Sequence, residues 1–212
     1  MLTNTLVLGT HNPKKLKELE GLFCGTGIGV KSLAAFEAPI EVVEDGNSFR
    51  ENAEKKASQQ AVHLGEWVIG EDSGICIRAL KGKPGIYSAR YAGEQATDDD
   101  NNQKVISELE GVEDRSANYV CHIALSNPQG EIVLNVEDTC HGRMGYEPKG
   151  TGGFGYDPYF VVPEYDLTMA ELGNHVKSII SHRAKAMRKF LKAVVSAKGS
   201  LATENKELTE KL

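Results

Sequence analysis

The sequence predicts an α/β fold, because strand-like and helix-like patterns follow one another along the chain. The apolar run Thr5–Leu8 leads through a polar turn into a helical pattern that begins at Pro13. Residues 119–136 alternate in β fashion around the turn signal Asn127–Gly130, which predicts one long hairpin. Apolar residues at helical spacing over 187–195 predict a C-terminal helix. The chain of 212 residues is long enough for one domain or two tightly joined lobes.

The overall charge argues against one large class of partners. The formal net charge is -6, and the isoelectric point is about 5.6. Proteins that bind the nucleic-acid backbone usually carry a clear basic excess instead. We therefore expect no nucleic-acid partner, and any polyanionic ligand must be small or metal-bound.

Cysteine spacing and hydropathy predict a cytoplasmic protein. Cys24, Cys76, Cys121 and Cys140 form no CxxC or CxxH pair, so we expect reduced, mostly buried thiols. The first apolar run is far shorter than a signal sequence, and no segment reaches membrane-spanning length. These observations predict no membrane partner.

The turn between the first strand and the first helix is a candidate phosphate site. Pro13 suits the first turn of a helix, where free N–H groups and the positive dipole end face an anion. Thr10, Asn12 and Lys15 are well placed for a phosphate. A helix cap with solvated lysines explains the same residues.

An acidic loop precedes the second helix. After a weaker β run near Val30–Leu33, the capping-box residues Ser48 and Glu51 predict a helix that ends at Gly65. Glu44, just upstream, has no role in that cap. An acidic loop is most often only solvated, and metal or ligand binding is the alternative.

Residues 68–93 form the stretch around which the chain is organised. A β run at 67–70 delivers Glu71 and Asp72 to a Ser-Gly break, after which a second apolar run follows at 75–80. Acids at the end of a strand are typical of catalytic sites. A Lys-Gly-Lys-Pro-Gly turn and Arg90 lie just beyond, so a metal and an anion are both candidate ligands.

Two further motifs have ordinary structural explanations. Asp98–Asp100 follow Thr97 at the start of a helical pattern, where negative charge favours the helix dipole, so we do not read them as a metal site. Residues 150–155 match GxGxxG, but a proline-containing β-like run follows instead of a helix, which excludes a dinucleotide fold. What remains is a flexible loop with Phe154 as a stacking surface and Asp157 as a polar anchor; a plain turn with a core Phe is equally consistent.

The start of the last helix carries unusual charges. Ser181 suits the N-cap, which places His182 and Arg183 in the first turn, where cations are disfavoured unless an anion or carbonyl compensates. That misfit favours a ligand role for both residues. Beyond residue 198 the sequence is a charged tail.

Five motifs, taken together and in order, resemble the inosine triphosphate pyrophosphatase family, also known as dITP/XTP diphosphatases or HAM1-like proteins. They are Thr10-x-Asn12-x-x-Lys15, Glu71-Asp72-Ser73-Gly74, Gly82-x-Pro84-Gly85-Ile86-Tyr87-Ser88-Ala89-Arg90-Tyr91, Gly152-Gly153-Phe154-Gly155-Tyr156-Asp157-Pro158 and Ser181-His182-Arg183. The similarity extends from the first strand to the last helix.

The resemblance implies an elongated, mixed α/β fold of two lobes, with a long mixed β-sheet flanked by helices and an active-site cleft between the lobes. We expect one catalytic domain at residues 1–198, a tail at 199–212, and a homodimer. The implied reaction is the Mg²⁺-dependent hydrolysis of ITP, dITP or XTP to the monophosphate and pyrophosphate, which cleans the nucleotide pool.

The resemblance also assigns site residues. Asp72 would be the catalytic proton acceptor, and Glu44 and Asp72 would bind the metal. Substrate-binding roles fall to Thr10, His11, Asn12, Pro13, Lys14, Lys15, Ser73, Phe154, Gly155, Tyr156, Asp157, Lys177, His182 and Arg183. Two positions depart from the common bacterial pattern: Glu71 stands where a second Asp is usual, and Lys14 stands where Gly is common.

The resemblance also offers a basis for selectivity, and two other functions stay open. Hydrogen-bond donors at His182 and Arg183 would accept a 6-oxo purine and reject the 6-amino group of ATP. One alternative is a Maf-like pyrophosphatase for modified pyrimidine or 7-methylguanosine triphosphates. The other is a nucleotide-binding sensor without turnover, against which the intact Asp72 argues.

Overall fold

The protein is a mixed sheet flanked by helices, seen in a computed structural model that describes the backbone of residues 5–209 and the side chains of residues 5–196. Within that part the strands are β1 Thr5–Leu8, β2 Gly29–Ser32, β3 Val68–Ile77, β4 Ser116–Ser126, β5 Ile132–Met144, β6 Phe160–Val162 and β7 Leu167–Thr168. The helices are α1 Pro13–Phe23, α2 Phe49–Leu64, α3 Asp98–Glu108, α4 Met169–Ile180 and α5 His182–Thr209, with short 3₁₀ segments at Leu33–Ala35 and Gly85–Arg90. The predicted α/β class is confirmed.

The sheet leaves one edge of β3 open. Its strand order is β2-β1-β3-β4-β5-β6-β7. β1 runs parallel to β2 and β3, and the other neighbours are antiparallel. β1 pairs with β3 only through Val7–Val68 and Leu8–Ile69 and then turns away, whereas β3 continues to Ile77. A crevice therefore opens beyond the carboxyl end of β1, the usual place for a ligand in such sheets.

Two large clusters of buried side chains lie along the sheet. One joins α1 and α5 to the first strands, with Leu6, Phe23 and Phe190 at its centre. The other joins α3, β5 and β6 around Ile75 and Phe160. The division into one domain at 1–198 and a tail at 199–212 stays a prediction; α5 runs through Thr209, and residues 210–212 lie outside the described part.

α2 lies unusually close to β3 because small residues face one another there. A Cβ added at Gly70 would sit 2.0 Å from the backbone oxygen of Ala53. Ala53, Ala57 and Ala61 are each fully buried on this face of the helix. The close contact brings the neighbouring polar residues of α2 within reach of β3.

The predicted break at Ser73–Gly74 is wrong. β3 is one continuous strand, and it pairs with β4 through both residues. Gly74 is needed for a close approach instead, since a Cβ there would meet Ser88 Oγ at 2.3 Å and the Gly85 carbonyl oxygen at 2.4 Å. Glu71 and Asp72 consequently lie inside a strand rather than at its end.

Several other expectations have clear outcomes. The hairpin is confirmed and is longer than predicted, because residues 116–126 of β4 pair with residues 132–143 of β5. α4 went unrecognised although Thr168 and Glu171 form a full capping box at its start. The four cysteines are free, but Cys24 is exposed, so burial is less complete than expected. No helix in the described part is long and apolar enough to cross a membrane.

Candidate active site

The open edge of β3 borders a cleft of about 290 Å³. Its lining comes from both ends of the chain and includes Thr10, His11, Asn12, Lys15, Glu44, Lys56, Asp72, Ser73, Arg90, Asp98, Phe154, Gly155, Tyr156, Asp157, Lys177, His182 and Arg183. The cleft thus brings together every predicted site residue except Pro13 and Lys14.

The turn before α1 is both a helix cap and a wall of the cleft. The Asn12 side chain accepts hydrogen bonds from the backbone N–H groups of Lys14 at 2.9 Å and Lys15 at 3.2 Å. Thr10 Oγ1 accepts from the Asn12 N–H at 3.2 Å. The helix cap is therefore confirmed, but Lys15 is not a solvated lysine, because it pairs with Glu71. An anion here would meet the side chains of Thr10 and Lys15 rather than the capped amides.

One face of β3 carries a cluster of two carboxylates and one lysine. Lys56 Nζ lies 2.8 Å from Glu44 Oε2 and 3.2 Å from Asp72 Oδ1. Asn52 donates a hydrogen bond to Asp72 Oδ2 at 3.2 Å. Burial raises the pKa of Asp72, aided by Glu44 and Glu71, and the positive charge of Lys56 opposes that rise. Asp72 is thus a buried carboxylate with stronger basicity than an exposed one.

Contacts from three side chains hold the backbone of the Glu44 loop in place. Gln60 donates from its side chain to the Ile40 carbonyl oxygen, and His11 Nε2 lies 3.3 Å from the same oxygen. Arg90 donates to the Glu44 carbonyl oxygen at 3.3 Å. The acidic loop is therefore docked at the cleft, and the expectation of a merely solvated loop is wrong for Glu44.

The opposite face of β3 carries a second charged cluster. Glu71 Oε2 lies 3.0 Å from Lys15 Nζ, and Glu71 Oε1 lies 3.0 Å from Arg183 Nη2. Burial raises the pKa of Glu71, but Arg183, Lys15 and Lys56 outweigh it and hold that pKa well below its usual range. Arg183 also donates to Ser73 Oγ at 2.9 Å and pairs with Glu18 at 2.5 Å.

The glycine-rich loop and α4 continue this cluster toward Phe154. Lys177 Nζ lies 2.6 Å from Asp157 Oδ2 and 2.7 Å from Glu18 Oε1. The same ammonium stands 4.5 Å from the centre of the Phe154 ring. Burial raises the pKa of Asp157, and Lys177 opposes this. Phe154 is only partly buried, so its ring lies at the cleft with cations beside it.

His182 is a neutral ring with an unused nitrogen. Burial, followed by the nearby Arg183 charge, lowers its pKa well below the ordinary value, so the imidazole is uncharged at neutral pH. It stacks on Tyr119 with ring centroids 4.6 Å apart and an angle of 8°. Nδ1 of His182 and Nε of Arg183 are buried and have no hydrogen-bond partner among the described residues. Both atoms are therefore unsatisfied polar groups in residues that line the cleft.

Lys14 and Pro13 lie outside this lining. Pro13 is the first residue of α1. Lys14 Nζ pairs with Asp98 Oδ2 at 2.6 Å, and the same oxygen accepts the Gly155 N–H at 3.0 Å. Asp98 therefore ties α3 to α1 and to the glycine-rich loop, a role that the helix-dipole explanation did not foresee.

The sequence interpretation missed Lys56 and Glu18. A detectable signal existed for Lys56, because Asn52, Lys56 and Gln60 recur every four residues beside the alanines of α2, which places polar groups on a buried helix face. Glu18 gives no such signal, since an acid within α1 looks solvated until α4 and α5 are packed against it.

The cluster around Asp72 fits a magnesium ion. In residues 5–196 no three His, Cys, Asp or Glu side chains gather as a complete ligand set. Mg²⁺ typically binds one or two carboxylates and completes its shell with water and substrate phosphates. The carboxylate oxygens of Glu44 and Asp72 both contact the Lys56 ammonium. These two hard oxygen donors are therefore close enough to share one cation.

The arrangement can perform a hydrolysis on an anionic substrate. A buried carboxylate of raised pKa accepts a proton better than an exposed one does. Lys15 and Lys56 supply positive charge on the two sides of Asp72, and Phe154 offers a flat apolar surface. The cleft therefore suits a polyphosphate attached to an aromatic base.

Comparisons with known proteins found relatives that match most of this chain. The model of the Ham1 family matches residues 6–193. A dITP/XTP pyrophosphatase of Rhodopirellula baltica is 49% identical over 88% of this chain and 90% of that protein. One from Bacillus subtilis is 47% identical over 88% and 94%. The structure of a HAM1 protein from Coxiella burnetii superposes with a TM-score of 0.84 at 37% identity, over 92% of this chain and 100% of that one.

Proposed function

Because the chain belongs to the Ham1 family, we propose that it hydrolyses non-canonical purine nucleoside triphosphates, namely dITP, ITP and XTP, to the monophosphate and pyrophosphate. The relatives that match most of its length are dITP/XTP pyrophosphatases. The observation that carries the proposal is the cleft itself, which is lined by the buried carboxylate of Asp72, by several Lys and Arg side chains and by the half-buried ring of Phe154.

Asp72 is the proton acceptor in this proposal. Water attacks a phosphorus of the α–β anhydride, its proton passes to an Asp72 carboxylate oxygen, and the bond between the α- and β-phosphates breaks. Asn52 and Lys56 hold both oxygens of Asp72, so the carboxylate is oriented before the substrate arrives. Positioning of this kind supplies much of the catalysis in phosphoryl transfer.

We propose Mg²⁺ as the cofactor, held by Glu44 and Asp72. When bound, it would neutralise phosphate charge and acidify a water molecule. Lys15 and Thr10 would bind the phosphates, and Lys56, which pairs with both Glu44 and Asp72, offsets the repulsion between their two carboxylates.

The base would lie between Phe154 and the start of α5. Stacking on Phe154 recognises a purine of any kind, whereas the unused Arg183 Nε can only donate a hydrogen bond. The neutral His182 ring has one donor and one acceptor nitrogen. A 6-oxo group satisfies these donors, and a 6-amino group leaves one unpaired, which in favourable sites costs a factor of about 10⁴.

We also propose a cytoplasmic homodimer. The support is the family resemblance together with the reduced, unpaired cysteines. Sedimentation equilibrium at micromolar concentration measures the oligomeric state directly. A monomer at all concentrations would contradict the dimer without affecting the proposed reaction.

A substrate panel tests the reaction. Purified protein is given dITP, ITP, XTP, dGTP, dATP, dUTP and 7-methyl-GTP with Mg²⁺, and pyrophosphate release is measured. We expect the highest kcat/KM for dITP, ITP and XTP, and loss of turnover in EDTA that Mg²⁺ restores. Preference for dUTP or 7-methyl-GTP would favour a Maf-like enzyme, and tight dITP binding without turnover would favour a sensor.

A further inference from the structure

Glu71 is a buried acid to which the proposed reaction assigns no step. Its side chain is 1% exposed. One carboxylate oxygen meets Lys15 Nζ at 3.0 Å, and the other meets Arg183 Nη2 at 3.0 Å. Cys121 Sγ also lies 3.4 Å from the second oxygen. Arg183 thus donates a hydrogen bond to Glu71 Oε1, whereas Lys15 holds Oε2 by charge alone, because that oxygen has no hydrogen-bond partner among the described residues.

Strand geometry separates Glu71 from the candidate metal cluster. Successive side chains of a strand point to opposite faces of the sheet. Asp72 contacts α2 through Lys56, whereas Glu71 contacts α1 and α5 through Lys15 and Arg183. Although the two acids are adjacent in sequence, they belong to different clusters.

The two cations held by Glu71 serve opposite ends of the substrate in the proposed function, on which this inference rests. Lys15 follows the phosphate turn, and Arg183 follows the base-recognising His182. Arg183 has two further anchors, Glu18 and Ser73. The only ion pair of Lys15 in the described structure is the one with Glu71.

We propose that Glu71 is a positioning residue that anchors Lys15 and Arg183 with a single carboxylate, and so links phosphate placement to base recognition. Loss of its charge frees Lys15 and leaves Arg183 to turn toward Glu18. Base discrimination and phosphate binding then weaken together, while the metal requirement stays as it was.

The test compares Glu71→Gln with Glu44→Gln, which changes the other face. Affinities for inosine and adenosine monophosphate are measured by calorimetry in EDTA, so that this readout needs neither metal nor turnover. We expect Glu71→Gln to reduce the preference for inosine monophosphate by about tenfold and Glu44→Gln to keep it. In kinetics with dITP, Glu71→Gln should keep the Mg²⁺ concentration for half-maximal rate, and Glu44→Gln should raise it by about tenfold.

Opposite results overturn the proposal. A raised Mg²⁺ requirement in Glu71→Gln with an unchanged nucleotide preference would make Glu71 a metal ligand, and no change in either would remove its role. If Glu71→Gln does not fold, Glu71→Asp replaces it, because this variant keeps the charge on a side chain one methylene shorter. We expect Glu71→Asp to lose part of the preference for inosine monophosphate at an unchanged Mg²⁺ requirement. Retention of the full wild-type preference would contradict the proposal. Wild-type protein that releases no pyrophosphate from dITP would contradict the proposed function instead.

Discussion

The two faces of β3 turn adjacent, chemically similar residues into different groups. On the α2 face, Asp72 shares one ammonium with Glu44, and burial raises its pKa. On the α1–α5 face, Glu71 lies between two cations, which hold its pKa well below the usual range despite complete burial. Burial is nearly the same for both acids. The number of cations within contact distance therefore decides which carboxylate becomes a base and which a fixed counter-ion.

The two faces of β3 have different tasks in the cleft. Changes on the α2 face should alter turnover and its dependence on pH, because that face holds the reacting carboxylate. Changes on the other face should alter affinity for the base. A variant on one face that altered the property assigned to the other face would show that the two clusters act as one.

Asp72→Asn should have the largest effect. The amide cannot accept the proton, so we expect kcat/KM for dITP to fall by about 10³-fold or more with the fold intact. Steady-state pyrophosphate release measures kcat/KM, and a thermal melt checks the fold. Asp45→Asn, an exposed acid paired with Lys55, is the matched control and should keep near-normal activity. Substantial turnover in Asp72→Asn would remove Asp72 as the base.

Lys56→Met should lower kcat/KM by about 10²-fold and shift its pH profile. Lys56 opposes the rise of the Asp72 pKa, so its removal raises that pKa further and moves the acid limb of the profile to higher pH. Lys55→Met, the neighbouring residue on α2 with an exposed partner, is the control. An acid limb at unchanged or lower pH would separate Lys56 from the ionisation of Asp72.

Gly70→Ala tests the close packing that brings α2 to Asp72. The added Cβ would overlap the Ala53 carbonyl oxygen at 2.0 Å, so we expect a loss of about 2 kcal/mol in unfolding free energy, measured in urea. Gly21→Ala is the control: it lies in α1 with nothing within 4 Å of its Cβ and should be neutral or stabilising by about 0.5–1 kcal/mol. Equal stability of the two variants would contradict the packing argument.

Phe154→Leu should have the smallest effect and should act on binding. Loss of base stacking, worth about 1–3 kcal/mol per base, should raise KM for dITP about tenfold and leave kcat nearly unchanged. The control is Phe36→Leu, because Phe36 lies near Lys31 rather than Lys177. It should leave KM for dITP unchanged. A fall in kcat without a change in KM would place Phe154 with the reacting groups instead.

Much of the candidate site was readable as local pattern. The caps of α1, α2 and α3 at Asn12, Ser48 and Thr97 are present. The misplaced cations at His182 and Arg183 indicated ligand chemistry; burial in fact keeps His182 neutral, and Glu18 and Glu71 compensate Arg183. Roles that depend on distant partners were not readable, since the contact of Arg183 with Glu18 spans 165 positions.

The sequence by itself determined most of the strands and helices, the caps of α1, α2 and α3, and the residue types of the five motifs, because these follow from spacing over a few positions; α4 was the exception. Only the tertiary structure decided that β3 passes unbroken through Gly74, that the Glu44 loop docks on α2, and that Glu71 and Asp72 part to opposite faces. The physical reason is that pairing of charges and close approach of backbones depend on through-space distance. Strand alternation allows two neighbouring acids to face different sides, and the helices packed on each side supply the partners.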